Sequence, residues 1–245
     1  MENQTSFNAT SAESCELSTK SSMSVKFIKT FAFSIIMSVS LLGNLAVIAI
    51  VSKNKRVRTT TNYLIANMAA SDLLMSLFTV PRELVESFTG PRRWLLDGIT
   101  GSALCKLVYF FQDVSVAVSI QSLVVIAIDR YRDVVFPFRP PVITSKVCKV
   151  IIPIIWMVAM CIHGAYFYTA RLVTQHNKLY CILSWAPYFE ERRTQERYLM
   201  FIPVFSTFVP LCVILTLYAL ILIELRKRKP KKNGASAIRP QRQTE

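Results

Sequence analysis

The chain has 245 residues, 52% of them hydrophobic and 18% charged, with a net charge of +14. That apolar content excludes an intrinsically disordered polymer, and the charges are gathered into short stretches between long apolar runs, the pattern of a multi-pass membrane protein. Basic segments that flank membrane spans account for the positive balance without a nucleic-acid partner.

Residues 1–26 are polar, with no apolar core of a cleavable signal, so they read as an extracellular tail and the first span as its own insertion signal. Asn3 and Asn8 head glycosylation sequons there, and Cys15 is a thiol without an evident partner. Five runs then follow, expected as helices over about 27–51, 62–87, 102–134, 147–168 and 197–224. Each reaches the roughly 20 residues that cross a bilayer, and none shows the ten-residue alternation of a barrel strand. The fold class expected is an all-α membrane protein with its transmembrane domain over 27–224. A basic cytoplasmic tail follows at 225–245.

Charge orients the spans. Lys53, Lys55, Arg56 and Arg58 follow the first span, Arg130, Arg132, Arg139, Lys146 and Lys149 surround the loop after the third, and Arg226, Lys227 and Arg228 follow the fifth. The opposite loops mix Arg92, Arg93 and Arg171 with Asp97, Glu190 and Glu196. The positive-inside rule therefore places the N-terminus outside a plasma-membrane protein. On that topology Cys105 and Cys181 both face an oxidising compartment and can pair, whereas Cys148, Cys161 and Cys212 lie in or beside spans as apolar fillers.

Polar residues inside the spans each need a partner or a purpose. Asn44 and Asp72 sit mid-span, and the carboxylate of Asp72, with Asn44 and Ser119 as partners, reads as an ion or proton site. Asn67, Ser122 and Trp156 form a second polar set, read as packing hydrogen bonds. The triplet Asp129-Arg130-Tyr131 closes the third run, where an acid beside an arginine can hold it in a breakable charge-assisted pair. The histidines His163 and His176 have no metal-ligand spacing, and no phosphate loop or transporter-like repeat occurs, so an enzyme or transporter is disfavoured.

With these residues in order, the chain resembles the rhodopsin-like G-protein-coupled receptors, from Gly43-Asn44 through Val47, Asn67, Asp72, Cys105, Asp129-Arg130-Tyr131, Val134, Pro137, Trp156, Cys181 and Pro210 to Tyr218. The resemblance implies five helices of a seven-helix receptor bundle. It implies that Arg130 is held by Asp129 at rest and meets a heterotrimeric G protein on activation, with Tyr218 holding the open form. It further implies a sodium ion on Asp72, Asn44 and Ser119 as the sole cofactor, a packing switch at Ile120 and Pro210, and a Cys105–Cys181 disulfide. Where amine receptors carry an aspartate this chain has Gln112, which resembles peptide receptors of the neuropeptide Y, RFamide and orexin-like group. Gln112, Glu83 and Asp113 are the candidate ligand contacts. Arg82 can pair with Glu86 at helical spacing, which would leave Glu83 available. Asp113 lies about 100° around the helix from Gln112, toward a neighbour or the lipid boundary.

The sixth-span Cys-Trp-x-Pro and seventh-span Asn-Pro-x-x-Tyr motifs do not occur, the spacing from Trp94 to Cys105 is long, and the fourth span has no proline near Gly164-Ala165. The leading expectation is a receptor polypeptide, incomplete as it stands, for an extracellular peptide. The competing expectation is a non-signalling chain that dimerises with full-length receptors and alters their trafficking. An amine receptor is disfavoured by Gln112.

Overall fold

A computed structural model describes residues 23–228. Five stretches are long and apolar enough to cross a membrane, and they form a partial seven-helix bundle. The predicted sites Asn3, Asn8 and Cys15 lie outside the described residues.

Helix α1, Met23–Lys53, is apolar all round and buries only Val51 among its residues, leaving Phe27, Phe31, Val39 and Leu42 on the surface where lipid would lie. A 3-10 turn at Lys55–Val57 leads to α2, Thr60–Thr89, whose first turn is capped by the Thr59 hydroxyl accepting from the Asn62 amide. At its far end Gly90 takes a φ of 102°, open to a residue without a Cβ, and returns its amide to the Glu86 carbonyl.

Helix α3, Gly98–Val135, is the axle of the bundle. Its buried positions include Cys105, Val108, Val114, Ser115, Ala117, Val118, Ser122 and Ala127, a run rich in small residues. Small side chains let helix backbones approach closely, which matters because lipid tails provide no hydrophobic drive between helices. The helix starts earlier than the apolar run predicts. Asp97 caps it by accepting from the Gly98 amide at 2.6 Å, so the long spacing from Trp94 to Cys105 is wound up as helix before the cysteine. The start demands a glycine at 101, where a Cβ would stand 2.1 Å from the Leu96 carbonyl oxygen.

The loop after α3 is held to α2 by Thr60, whose hydroxyl donates to the Ile143 carbonyl at 3.0 Å while the Ile143 side chain is buried. Helix α4, Ser145–His163, begins with a Thr144 cap. It ends at Gly164 without a proline, and the chain re-enters a short helical turn at Tyr166–Thr169.

The long loop between the fourth and fifth spans, read from its sequence only as polar and aromatic, holds an antiparallel hairpin of β1, Ala170–Gln175, and β2, Lys178–Leu183. The two-residue turn His176-Asn177 has positive φ at both positions, 47° and 57°, the geometry that matches strand twist. The segment before α3 docks on the outer side of β2, with Trp94 donating to the Leu179 carbonyl and Cys181 to the Arg92 carbonyl, both at 3.0 Å.

The last span is two helices joined by a π turn. Helix α5, Glu191–Pro203, runs into the π-helical turn Val204–Phe208 and then α6, Val209–Arg228. A proline at 210 removes one amide from the ladder, and the wider turn just before it accommodates the loss.

Candidate functional site

Four groups of side chains, all centred on α3, make up the candidate machinery. The one farthest from the hairpin along α3 is the Asp129-Arg130-Tyr131 triplet. Arg130 meets the Asp129 carboxylate at 3.4 Å and the Asp133 carboxylate at 3.3 Å, and it also donates to the Thr61 hydroxyl at the start of α2. Asp129 is 10% exposed at its side chain and Asp133 49%, so the first partner acts through a poorer screening medium than the second. Asp133 and Thr61 were not anticipated. The first sits three residues on, a helical neighbour visible in retrospect, whereas the second comes from another helix. Tyr131 is half-buried, and Tyr218 is 43% exposed on α6.

Mid-bundle, the Ser119 hydroxyl donates to Asp72 at 3.3 Å and shares a 2.7 Å hydrogen bond with Ser71. Asn44, expected beside Asp72, instead donates to Ser40 at 3.2 Å, and Ser40 meets Ser76 at 2.6 Å. The contact between α1 and α2 therefore runs through serines one helical turn from Asn44 and Asp72, toward the start of α1 and the end of α2. Ser76 also donates to the Asp72 backbone carbonyl at 2.9 Å. The cluster thus offers one carboxylate and two hydroxyls, hard oxygen donors of the kind alkali and alkaline-earth cations take.

The Asn67 set is a closed node. Asn67 Nδ2 donates to Ser122 Oγ at 2.9 Å, and Trp156 Nε1 donates to Asn67 Oδ1 at 2.8 Å, so one amide ties α2, α3 and α4.

Toward the hairpin end, Tyr166 donates to Asp113 at 2.5 Å, and His163 Nδ1 stands 3.8 Å from the same carboxylate. Asp113, His163 and Ser206 of the π turn line a cavity of about 120 Å³ between the third, fourth and fifth spans. Gln112, the neighbouring candidate, has its side-chain oxygen buried without a hydrogen-bond partner among the described residues. Glu83 is not left free: Arg82 reaches it at 2.5 Å as well as Glu86 at 3.8 Å, and the guanidinium lies 5.0 Å over the Tyr109 ring. The paired acids follow from Arg82 turning toward α3, a rotation that spacing along one helix does not reveal. Ile120 and Pro210 are both half-buried.

A disulfide joins Cys105 to Cys181, whose strand partner is Leu172. It packs with Ala170, Trp94 and Tyr109, fixing the hairpin across the start of α3. Helix α3 therefore carries a covalent anchor near one end and a caged arginine near the other.

A profile of the family described as "7 transmembrane receptor (rhodopsin family)" matches residues 43–245. Among similar curated proteins, the mouse (Mus musculus) pyroglutamylated RF-amide peptide receptor is 30% identical over 81% of this chain and 45% of its own length. The mouse neuropeptide FF receptor 2 is 35% identical over 77% of this chain and 46% of its own. The substance-P receptor of Aquarana catesbeiana is 32% identical over 78% of this chain and 45% of its own. The chain spans about half the length of the curated relatives it matches.

Proposed function

Since the chain belongs to the rhodopsin family of seven-transmembrane receptors, and is thus a multi-pass protein of the cell membrane, we propose that it is the peptide-receiving part of a G-protein-coupled receptor whose N-terminus is extracellular. The observation that carries this reading is the Arg130 cage of Asp129, Asp133 and Thr61, on the same helix that the Cys105–Cys181 disulfide pins to the hairpin. A ligand that moves the hairpin end of α3 can loosen the cage at the other. Release of Arg130 exposes a cation and its hydrogen-bond donors to a G protein at the cytoplasmic face.

Three relatives carry peptide-receptor names, and the hairpin end supports a peptide over an amine. Asp113, the acid nearest the amine-receptor position, is already engaged by Tyr166, while Gln112 presents an uncharged amide. The hairpin and the loop beyond it add Tyr180, Tyr188 and Phe189, and the helical turn before it adds Tyr168, aromatic surface suited to a peptide chain. The Asp72, Ser119 and Ser71 oxygens fit a resting-state sodium ion, which would supply charge compensation for a membrane-buried carboxylate.

The test uses cells expressing the chain alone, and separately the chain fused to the two further spans of a matched relative. Fluorescent amidated peptides and monoamines are compared for surface binding and for nucleotide loading of G protein. Peptide binding with no monoamine binding is expected. Monoamine binding without peptide binding overturns the ligand class. Loss of sodium-dependent thermal protection in Asp72→Asn, with the wild type protected, tests the ion site.

A further inference from the structure

One further cavity among the described residues belongs to none of the groups above. It measures about 410 Å³ and lies between α2, the segment before α3, and α3 itself. That is the size of small-molecule sites. Its walls are apolar, with Leu77 and Pro81 on one side and Leu104 and Val108 on the other. Two of its lining residues nevertheless hold buried donors without a hydrogen-bond partner among the described residues, Arg93 Nη1 and Trp94 Nε1, while Arg82 Nε has the Glu86 carboxylate at 3.8 Å. Buried donors are normally satisfied, and two gathered beside one cavity call for an acceptor group.

Charge selects the acceptor. Arg82 is compensated by Glu83 and Glu86. Arg93 has the Tyr180 ring at 5.1 Å and no ion pair among the described residues, so the cavity holds one unbalanced cation beside a neutral indole donor. A monoanion with two acceptor oxygens fits that set, because a guanidinium fork binds a carboxylate in a bidentate way.

The opening selects the rest of the molecule. Leu77 is 52% exposed and Pro81 is also exposed. They follow Asp72 by five and nine residues, about 140° and 180° around an ideal helix, so the mouth faces away from the bundle interior and toward lipid. We propose that this cavity is a lateral site for a long-chain carboxylate that enters from the membrane, its head on Arg93 and Trp94 and its chain along Leu77, Pro81 and Val108. It stands apart from the peptide reading and does not require it.

The full chain in nanodiscs of zwitterionic lipid is labelled with a long-chain fatty acid carrying a mid-chain diazirine, beside the matching alcohol and the matching alkyl phosphate. The carboxylate is expected to label residues 77–108 at least tenfold more than either analogue. Arg93→Gln should lower that labelling by about tenfold, Arg93→Lys by less, and Leu77→Trp should block the mouth while leaving every donor in place. Each variant is first checked for an intact disulfide and monodisperse elution; should Arg93→Gln fail to fold, Leu77→Trp and the alcohol comparison carry the test. Equal labelling by the alcohol, stronger labelling by the phosphate, undiminished labelling of Leu77→Trp or of folded Arg93→Gln, or label spread evenly over the lipid-facing helices would each overturn the proposal.

Discussion

Replacing Asn67 by alanine should destabilise the bundle by about 2 kcal/mol. The side chain is 7% exposed as a residue and makes two interhelical bonds, to Ser122 and from Trp156. Interhelical hydrogen bonds in membranes average roughly 0.6 kcal/mol each, which gives about 1.2 for the pair. The orphaned donor adds the remainder. Ser122 still donates to the Val118 carbonyl at 2.7 Å, but the Trp156 indole N–H loses its acceptor, at a cost of about 1 kcal/mol or more. For a domain of this size that corresponds to a fall of about 4–8 °C in apparent Tm, measured by fluorescence-detected size exclusion after heating in detergent. Trp156→Phe should cost the wild type more than it costs Asn67→Ala, because in the variant there is no acceptor left to lose. Equal costs in the two backgrounds would refute the shared node and return the residues to independent packing.

Three further substitutions probe other parts of the structure. Gly101→Ala forces a Cβ against the Leu96 carbonyl, a backbone neighbour that cannot swing aside, so a loss of at least about 2 kcal/mol and a lower folded yield are expected, read by the same heated elution. Cys181→Ser opens a closure of 76 residues, worth up to about 4.5 kcal/mol by loop entropy; a protease cut within the hairpin, confirmed by mass spectrometry, should then appear where the wild type is resistant. Asp133→Ala should lower Tm less than Asp129→Ala, since the Asp133–Arg130 pair is about half exposed on both sides and solvent-screened to under about 1 kcal/mol. A larger loss from Asp133 would mean that the exposed acid is the principal restraint on Arg130.

The spans were legible because bilayer thickness imposes a length that composition alone reveals. The Asn67, Ser122 and Trp156 residues could be grouped for a related reason: few polar side chains lie within apolar runs, so few combinations exist. What could not be read depends on helix rotation. Asn44 meets Ser40 rather than Asp72, and Arg82 turns to Glu83 and the Tyr109 ring, because the phase of one helix against another is set by packing. The hairpin escaped for a different reason. Its turn is His176-Asn177 rather than a glycine-containing pair, and its strands mix charged and aromatic residues at an aqueous end, where alternation is weak. The early start of α3 was hidden because its added turns are held by Asp97 and Gly101, local chemistry outside the apolar run.

The π turn at Val204–Phe208 also sets an azimuth. A π turn takes one more residue than an α turn, so every side chain of α6 is offset around the axis from where an unbroken continuation of α5 would carry it. Removing one residue between 204 and 208 would turn α6 by about 100° relative to α5. Buried Ile221 would leave its packing place and Tyr218 would point elsewhere, although not one of their own neighbours in sequence had changed. The two ends of this span thus keep separate compass bearings, and the coupling between them is tunable by a single insertion or deletion far from either end.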